Sequence, residues 1–240
     1  MKRPLSIICA GLVLNFCGFS ARAQSAAPFR EGILAYQADT VRRLEKSPAA
    51  YISTQLTVYQ KDNLYRFEVL SVNRFNPRDT QKAVHLRNES GTYTWIEFAD
   101  ARRAEGTNVA LFVSYEDEKK EEARRPQAVY LPGYYPEKAV QQLQWLQLPA
   151  EKTRLISSTG QQPEEVIVTK ALNVPLGALF LEVRALAGTP LQFTENRGGW
   201  MMRFTSTALT AQSLPKQVFE VPPTRKRLTM AEMMQSLADF

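Results

Sequence analysis

The chain has 240 residues, of which 44% are hydrophobic and 22% are charged, and its formal net charge is +6. This length allows one domain, or at most two, with a sizeable buried core. The apolar and aromatic fractions are those of a globular protein, which excludes a disordered chain, a disulfide miniprotein and a fibrous repeat.

The first 23 residues have the pattern of an export signal. Lys2 and Arg3 form a positive start, residues 5–19 form an apolar run, and Ala21-Arg22-Ala23 offers a small-residue cleavage site. We therefore expect an exported protein that works in the periplasm. The expected parts are a signal peptide at residues 1–23, a flexible leader at 24–30 and a single domain at 31–240.

Two alternatives for the N-terminus stay open. One is a buried N-terminal helix. The other is a lipoprotein signal, because Cys17 is followed by Gly18, although bulky Phe16 stands where a lipid-attaching peptidase prefers a small side chain. Secretion from the cell and lipid anchoring are accordingly the alternatives to a periplasmic location.

Cleavage after residue 23 would change the chemistry of the chain. It would remove Cys9 and Cys17, the two cysteines, and lower the formal charge to +3. The mature protein would then have no disulfide and no thiolate nucleophile. Its mixed charges do not predict nucleic-acid binding, which needs a concentrated basic face. No later segment reaches the roughly 20 apolar residues of a membrane-spanning helix, so we do not expect an integral membrane protein.

Alternating apolar and polar residues predict six β-strands in the first half of the mature chain. Short turn sequences such as Lys61-Asp62-Asn63 and Glu89-Ser90-Gly91 favour an antiparallel meander over βαβ units. The predicted strands cover residues 32–36, 51–60, 64–72, 81–87, 92–99 and 109–115.

The middle of the chain interrupts this alternation. Residues 116–125 (EDEKKEEARR) carry interleaved charges, which is typical of a solvated loop or short exposed helix; a docking patch is the alternative. After a turn at residues 132–135, Pro136 suits the first position of a helix. The predicted helix has an apolar stripe at helical spacing, formed by Ala139, Val140, Leu143 and Leu146.

The second half returns to strands and ends in a helix. Residues 176–187 predict a strand followed by a short helix that Gly188 caps. Thr229 and Glu232 form a capping box for a C-terminal helix. The strands are predicted at residues 152–157, 165–170, 191–194 and 200–209, the last two joined by a turn at 196–199.

Few residues point to a reactive site. His85 is the only histidine and lies in a predicted strand, and no Gly-x-Ser-x-Gly elbow presents a nucleophile, so a structural or surface role is favoured. One histidine cannot complete an ordinary zinc site, and no phosphate, dinucleotide or EF-hand motif occurs. The pairs Glu121-Glu122 and Glu164-Glu165 are expected to face solvent rather than act as a glycosidase pair. We expect no catalytic residue, no metal, no cofactor and no enzyme activity.

Four segments, taken in order, resemble exported bacterial proteins of the GLPGLI family and their relatives of unknown function. Those proteins are similar in outline to the periplasmic lipoprotein carriers. The resemblance implies a mainly β (α+β) fold, a curved antiparallel open half-barrel sheet with a few helices packed across it, including an amphipathic C-terminal helix. It implies no catalytic residues. The segments are FREGILAYQAD (29–39), LTVYQKDNLYRFEV (56–69), LAGTPLQFTENRGGWMMRFTSTAL (186–209) and VFEVPPTRKRLTMAEMMQSL (218–237).

The expected function is that of a non-enzymatic binding protein that shelters a lipid or acyl chain in a concave apolar face. Burial of an acyl chain stabilises a complex by about 0.8 kcal/mol per methylene, so shape alone can hold one. Two alternatives stay open: the aromatic residues fill a core, or the protein is a cell-envelope interaction module with no small-molecule ligand. The expected apolar face consists of Tyr65, Phe67, Trp95, Phe112, Trp200 and Phe204. The expected lid consists of Met230, Met233, Met234 and Leu237.

Overall fold

The computed structural model describes residues 29–43, 49–100, 108–124, 134–137, 141–157, 164–197 and 199–238. The predicted export signal and both cysteines lie outside these ranges. Within them the chain forms thirteen strands and two short α-helices, α1 (Tyr115–Arg124) and α2 (Met230–Ala238). The strands are β1 (Glu31–Arg43), β2 (Tyr51–Lys61), β3 (Leu64–Asn73), β4 (Asn76–Asn88), β5 (Gly91–Phe98), β6 (Val109–Val113), β7 (Tyr134–Pro136), β8 (Gln141–Trp145), β9 (Leu148–Ser157), β10 (Glu164–Thr169), β11 (Thr189–Arg197), β12 (Trp200–Ala211) and β13 (Lys226–Thr229).

All thirteen strands belong to one open sheet. From one edge the order is β13-β6-β5-β4-β3-β2-β1-β12-β11-β10-β9-β7, and β8 also pairs with β9. The β13–β6 pair is parallel and the other pairs are antiparallel. The expected mainly β fold with an open, largely antiparallel sheet is therefore confirmed.

The β2–β3 hairpin shows how local sequence sets the register. Leu56 pairs with Val69 and Val58 pairs with Phe67, and all four side chains are buried. In the turn, Asp62 adopts a φ of 50°, a left-handed conformation that aspartate tolerates better than most residues. Alternation and turn chemistry thus place the apolar side chains of both strands on one face of the sheet.

The helix predicted from Pro136 is wrong. Pro136 ends β7, and Gln141–Trp145 is strand β8, which pairs with β9; Ala139 and Val140 lie outside the described residues. Leu146 and Gln147 have φ values of 50° and 63° and make the turn between β8 and β9. Leu143 and Trp145 face the core in alternation. Over so few residues, apolar positions fit a helical spacing and a strand spacing equally well.

The predicted strand and short helix at residues 176–187 are also wrong. The chain there forms two 3₁₀ turns, Leu176–Ala178 and Leu181–Val183, which cross the sheet. The charged segment at 116–125 is largely the short helix α1, one of its two expected structures. Ser114 precedes α1 and accepts a hydrogen bond from the backbone N–H of Asp117 at 3.1 Å, which caps the helix start.

Buried side chains form two clusters on opposite faces of the sheet. The first face carries Phe67, whose cross-strand partner is His85; the second face carries Val84, whose partner is Trp95. Successive residues of a strand point to opposite faces. The first cluster includes β1, β2, β3 and the strands from β9 to β12, together with residues 172–183. The second cluster joins β4, β5 and β6 to the segment that follows β12.

Helix α2 begins with the predicted capping box. The Glu232 carboxylate accepts the backbone N–H of Thr229 at 2.7 Å, and the Thr229 hydroxyl oxygen accepts the N–H of Glu232 at 3.2 Å. Met230 is 50% exposed and Met234 is 58% exposed, so the structure does not show a methionine face packed across the sheet. Among the described helices, neither has the length and apolar character needed to cross a membrane.

Candidate binding cleft

The six aromatic residues expected to form one apolar face lie on both faces of the sheet. Trp95 and Phe112 belong to the second cluster. The other four belong to the first cluster or pack against it: Tyr65, Phe67, Trp200 and Phe204. The structure therefore brings four of the six to one side and separates the remaining two.

The first face is filled where residues 172–183 cross it. Phe180 of this segment is fully buried, and its ring centroid lies 4.9 Å from that of Phe193 and 5.2 Å from that of Phe204. The Phe193 and Phe204 rings stack with centroids 5.1 Å apart. The chain's own side chains therefore occupy the expected hollow beside Phe204.

The same face is open beyond that segment, above β3, β4, β5 and β6. A cleft there has two compartments, which share Tyr65, Arg87 and Ala178. We name the larger, of about 760 Å³, the histidine compartment; its further lining includes His85, Thr92, Thr94, Phe112, Val113 and Met230. We name the smaller, of about 550 Å³, the amide compartment; its further lining includes Gln60, Asp62, Asn63, Glu89, Tyr115 and Asn173.

Tyr65 and His85 line the histidine compartment, and the fully buried ring of Phe67 lies against both of them. The His85 ring lies nearly parallel to that of Phe67, at 5° and with centroids 6.0 Å apart, and Tyr65 stacks on Phe67 at 4.7 Å. His85 Nδ1 lies 3.1 Å from the Thr94 hydroxyl oxygen. The cross-strand register from β3 through β4 to β5 places these four side chains side by side on the first face.

Burial determines the charge of the Tyr65 and His85 rings. Loss of solvent lowers the pKa of His85 from 6.5 to about 4, with a smaller lowering by Arg87 and an opposing effect of Glu118. Burial also raises the pKa of the Tyr65 hydroxyl. Both rings are therefore uncharged near neutral pH. The rest of the lining is mixed, since it also includes the charged residues Arg87, Asp117, Glu118, Lys120 and Arg184.

Arg87 connects the sheet to helix α1, which forms one wall of the cleft. Arg87 Nη1 lies 3.4 Å from a Glu118 carboxylate oxygen, and the guanidinium carbon lies 4.7 Å from the centre of the Tyr115 ring. Thr92 donates a hydrogen bond to Glu118, and the Tyr115 hydroxyl donates one to the Asn88 carbonyl. The guanidinium is thus engaged with groups of the protein at the boundary of the two compartments.

Gln60 is the buried polar group of the amide compartment. Its side chain is 5% exposed, and its Nε2 donates hydrogen bonds to the backbone carbonyls of Asp62, at 3.3 Å, and Asn173, at 3.0 Å. Its Oε1 is buried and has no hydrogen-bond donor among the described residues. A buried acceptor without a donor costs about 1–3 kcal/mol.

The described residues are expected to hold no metal site and no carboxylate pair for glycoside hydrolysis. Among them no group of three or more His, Cys, Asp or Glu side chains stands close enough to hold a metal ion. Glu165 forms an ion pair with Lys152 at 2.9 Å on the surface, and the side chains of Glu121 and Glu122 lie outside the description.

The sequence predicted only part of this cleft. Tyr65 and Met230 line it. Phe112 also borders it, but its ring packs against Tyr93 in the second cluster, with centroids 4.8 Å apart. Met233 and Met234 are not among its lining residues, and the Leu237 side chain is not described. Sequence reasoning missed Gln60, Arg87 and Glu118 as cleft residues. Strict alternation in β4 gave a usable signal for one of them, because it places Arg87 on the face of His85.

Comparison with known proteins gives no further assignment. No family model matches the chain, and no curated protein is significantly similar to it.

Proposed function

We propose that this protein is a non-enzymatic periplasmic binding protein that shelters the apolar chain of a lipid or another acyl-bearing molecule in the cleft. In this proposal the open sheet acts as a half-barrel whose first face is covered at one end and accessible at the other. The observation that supports it most directly is the cleft that residues 172–183 leave open.

The size and lining of the cleft suit such a ligand. The histidine compartment, at about 760 Å³, falls within the range of about 300–1,000 Å³ that is usual for small-molecule sites. The uncharged rings of Tyr65 and His85 line it and stack on the buried Phe67 ring. Met230 lies at its edge, and a flexible thioether side chain adapts to chains of different shape.

The energetic requirement is modest. Burial of about eight methylenes contributes roughly 6 kcal/mol before ordering costs. The proposed contacts differ from those expected from sequence, since Phe204 is enclosed by Phe180 and Phe193. Tyr65 and Val113 line the cleft and take that role instead.

The experiment is a binding titration with a fluorescent acyl probe, such as a dansyl-labelled eleven-carbon fatty acid, combined with native mass spectrometry of the purified protein. Ala178 is exposed and lines both compartments, so Ala178→Trp places an indole at their junction. We expect this change to weaken probe binding about tenfold or more.

Ala208→Trp is the matched control. Ala208 is also exposed, lies in β12 and is not among the cleft-lining residues, so its replacement should leave the affinity unchanged. Absence of probe binding to the unaltered protein, or equal losses in both variants, would contradict the proposal.

A second candidate function is that of an envelope protein–protein interaction module. The observation that favours it is Phe75, which is 73% exposed at the β3–β4 turn. The Arg74 guanidinium carbon lies 4.2 Å from the centre of its ring, and Arg78 is exposed nearby. Exposed aromatic and arginine side chains are common at the centres of protein interfaces.

Site-specific photocrosslinking separates the two candidates. A crosslinker at position 75 should capture one defined partner in cells if the turn is an interface, and Phe75→Ser should abolish that interaction. The same substitution should not change acyl-probe binding, because Phe75 is not among the residues that line either compartment.

A further inference from the structure

The amide compartment is lined by Gln60, which has a buried hydrogen-bond acceptor that the described residues leave without a donor. Gln60 is almost fully buried, and its Nε2 group is held by two backbone carbonyls, which fixes the orientation of the amide. The remaining oxygen, Oε1, has no donor within the part of the chain that the structure describes, and Gln60 lines the compartment. A ligand group that reached this oxygen and donated a hydrogen bond to it would remove the cost of the unpaired acceptor.

The neighbouring side chains also favour a ligand group that donates hydrogen bonds. Asp62 and Glu89 add two carboxylates to the lining, and ionised carboxylates only accept hydrogen bonds. Asn63 and Asn173 add amides, each of which both donates and accepts. Arg87 is the cation among these residues, and it is already paired with Glu118.

These features discriminate among classes of head group. A carboxylate or phosphate would stand beside Asp62 and Glu89 and would give Gln60 no donor. A quaternary ammonium has no N–H or O–H and would also leave Gln60 Oε1 unpaired. A hydroxyl donates to the acceptors and accepts from the amides, and the rings of Tyr65 and Tyr115 border the same space.

We infer that the amide compartment binds an uncharged, hydroxyl-rich head group, and that the ligand of the cleft is a neutral polyol amphiphile. This inference rests on the proposed function, in which the acyl chain occupies the histidine compartment. The compartments meet at Tyr65, Arg87 and Ala178, so one molecule extends from one into the other. Such a head group can be a sugar or a glycerol, and the experiment distinguishes these sources.

The experiment compares amphiphiles that share a ten-carbon chain and differ in the head group. Decyl glucoside, 1-decylglycerol, decanoate and decyltrimethylammonium are titrated by calorimetry below their micellar concentrations. We expect the better of the two neutral polyols to bind about tenfold more tightly than either charged compound. The ratio between glucoside and glycerol ether shows which source the compartment prefers.

The outcomes separate this inference from the proposed function. Binding of the four compounds with equal affinity, or tightest binding of decanoate or the ammonium compound, would overturn the inference and leave chain binding intact. Absence of binding by all four would overturn the proposed function itself.

Variants at the compartment give the second test. Gln60→Leu removes the unpaired acceptor, but it also removes the two hydrogen bonds that Gln60 donates to the carbonyls of Asp62 and Asn173. Glu89→Ala, in an exposed turn, is therefore measured as well. We expect Glu89→Ala to weaken polyol binding several-fold and to leave decanoate binding equal or tighter. Glu220→Ala is the matched control, since Glu220 is exposed and lies outside both linings. An equal effect of Glu89→Ala on all four compounds, or none on any, would contradict the inference.

Discussion

The part of the first face that residues 172–183 cover, which we name the filled half, lies beside the cleft on the same face of the sheet. Different parts of the chain border the two regions. In the filled half, residues 172–183 insert Leu176 and Phe180 among the aromatic side chains of β11 and β12. In the cleft, α1 stands beside the sheet and is joined to it mainly through polar groups around Arg87 and Glu118. One half is therefore sealed by apolar packing, and the other keeps an accessible space.

This difference shows how one sheet can combine stability with binding. A packed aromatic cluster contributes to stability in proportion to the apolar area it removes from water. A cleft leaves such area exposed, so its floor must be stabilised by cross-strand contacts such as the stack of Tyr65, Phe67 and His85. We expect substitutions in the filled half to change folding stability most, and those in the cleft to act mainly on binding or on pH dependence.

The largest expected effect is at Phe180. Phe180→Ala removes a fully buried ring that contacts Phe193 and Phe204, and we expect it to lower the free energy of unfolding by about 3–5 kcal/mol. Urea denaturation measures this loss. Phe75→Ala is the matched control, because Phe75 is 73% exposed, and its effect should stay within about 0.5 kcal/mol. Similar losses in both variants would mean that residues 172–183 do not seal the sheet.

The next largest expected effect is the contribution of His85 to the pH dependence of the free energy of unfolding. Because burial lowers the pKa of His85 from 6.5 to about 4, the unfolded chain binds a proton there between these pH values while the folded protein does not. The free energy of unfolding should therefore fall as pH drops from 6.5 towards 4. Allowing for partial solvent exposure, we expect His85 to account for about 1–2 kcal/mol of this fall.

His85→Phe tests that contribution and keeps an aromatic ring in the stack. Unfolding free energies of both proteins are measured by urea denaturation at several pH values. Carboxyl groups titrate in both proteins, so the difference between the two curves isolates His85; Arg87 and Glu118 are the charged groups that act on it. If the two curves of unfolding free energy against pH run parallel between pH 6.5 and about 4, burial does not lower the pKa of His85 as described.

The strand pattern could be predicted from the sequence because its signals are local. The β2–β3 hairpin needs only alternation and the turn at Lys61-Asp62-Asn63, and the α2 start needs only the capping pair. The short stretch that became β8 was ambiguous, since Leu143 and Leu146 also fit a helix. Pairing with β9, and the hydrogen bond from Trp145 Nε1 to the Ser206 hydroxyl, 61 residues away, select the strand.

The cleft could be predicted only in part. Alternation places Tyr65, His85 and Arg87 on one face once the hairpins are known. The course of residues 172–183 is irregular and has no periodic signal, so the sequence does not reveal that Phe180 fills the space beside Phe204. The approach of Asn173 to Gln60 joins residues 113 positions apart, and no local pattern predicts such a contact.

The smallest expected effect concerns the wall of the cleft. Glu118→Gln keeps the side-chain shape but removes the charge that pairs with Arg87 and weakens the acceptor for Thr92. We expect a loss of about 1 kcal/mol or less in unfolding free energy, and less at high salt, because the pair is partly exposed. Amide hydrogen exchange in α1 should become faster, since this contact joins the helix to the sheet. Glu116→Gln, an exposed change in the first turn of the same helix, should leave the exchange of its later amides unchanged. Equal acceleration of exchange in both variants would mean that the stability of α1 depends on its helix propensity. The proposal that the Arg87–Glu118 ion pair holds α1 against the sheet would then be wrong.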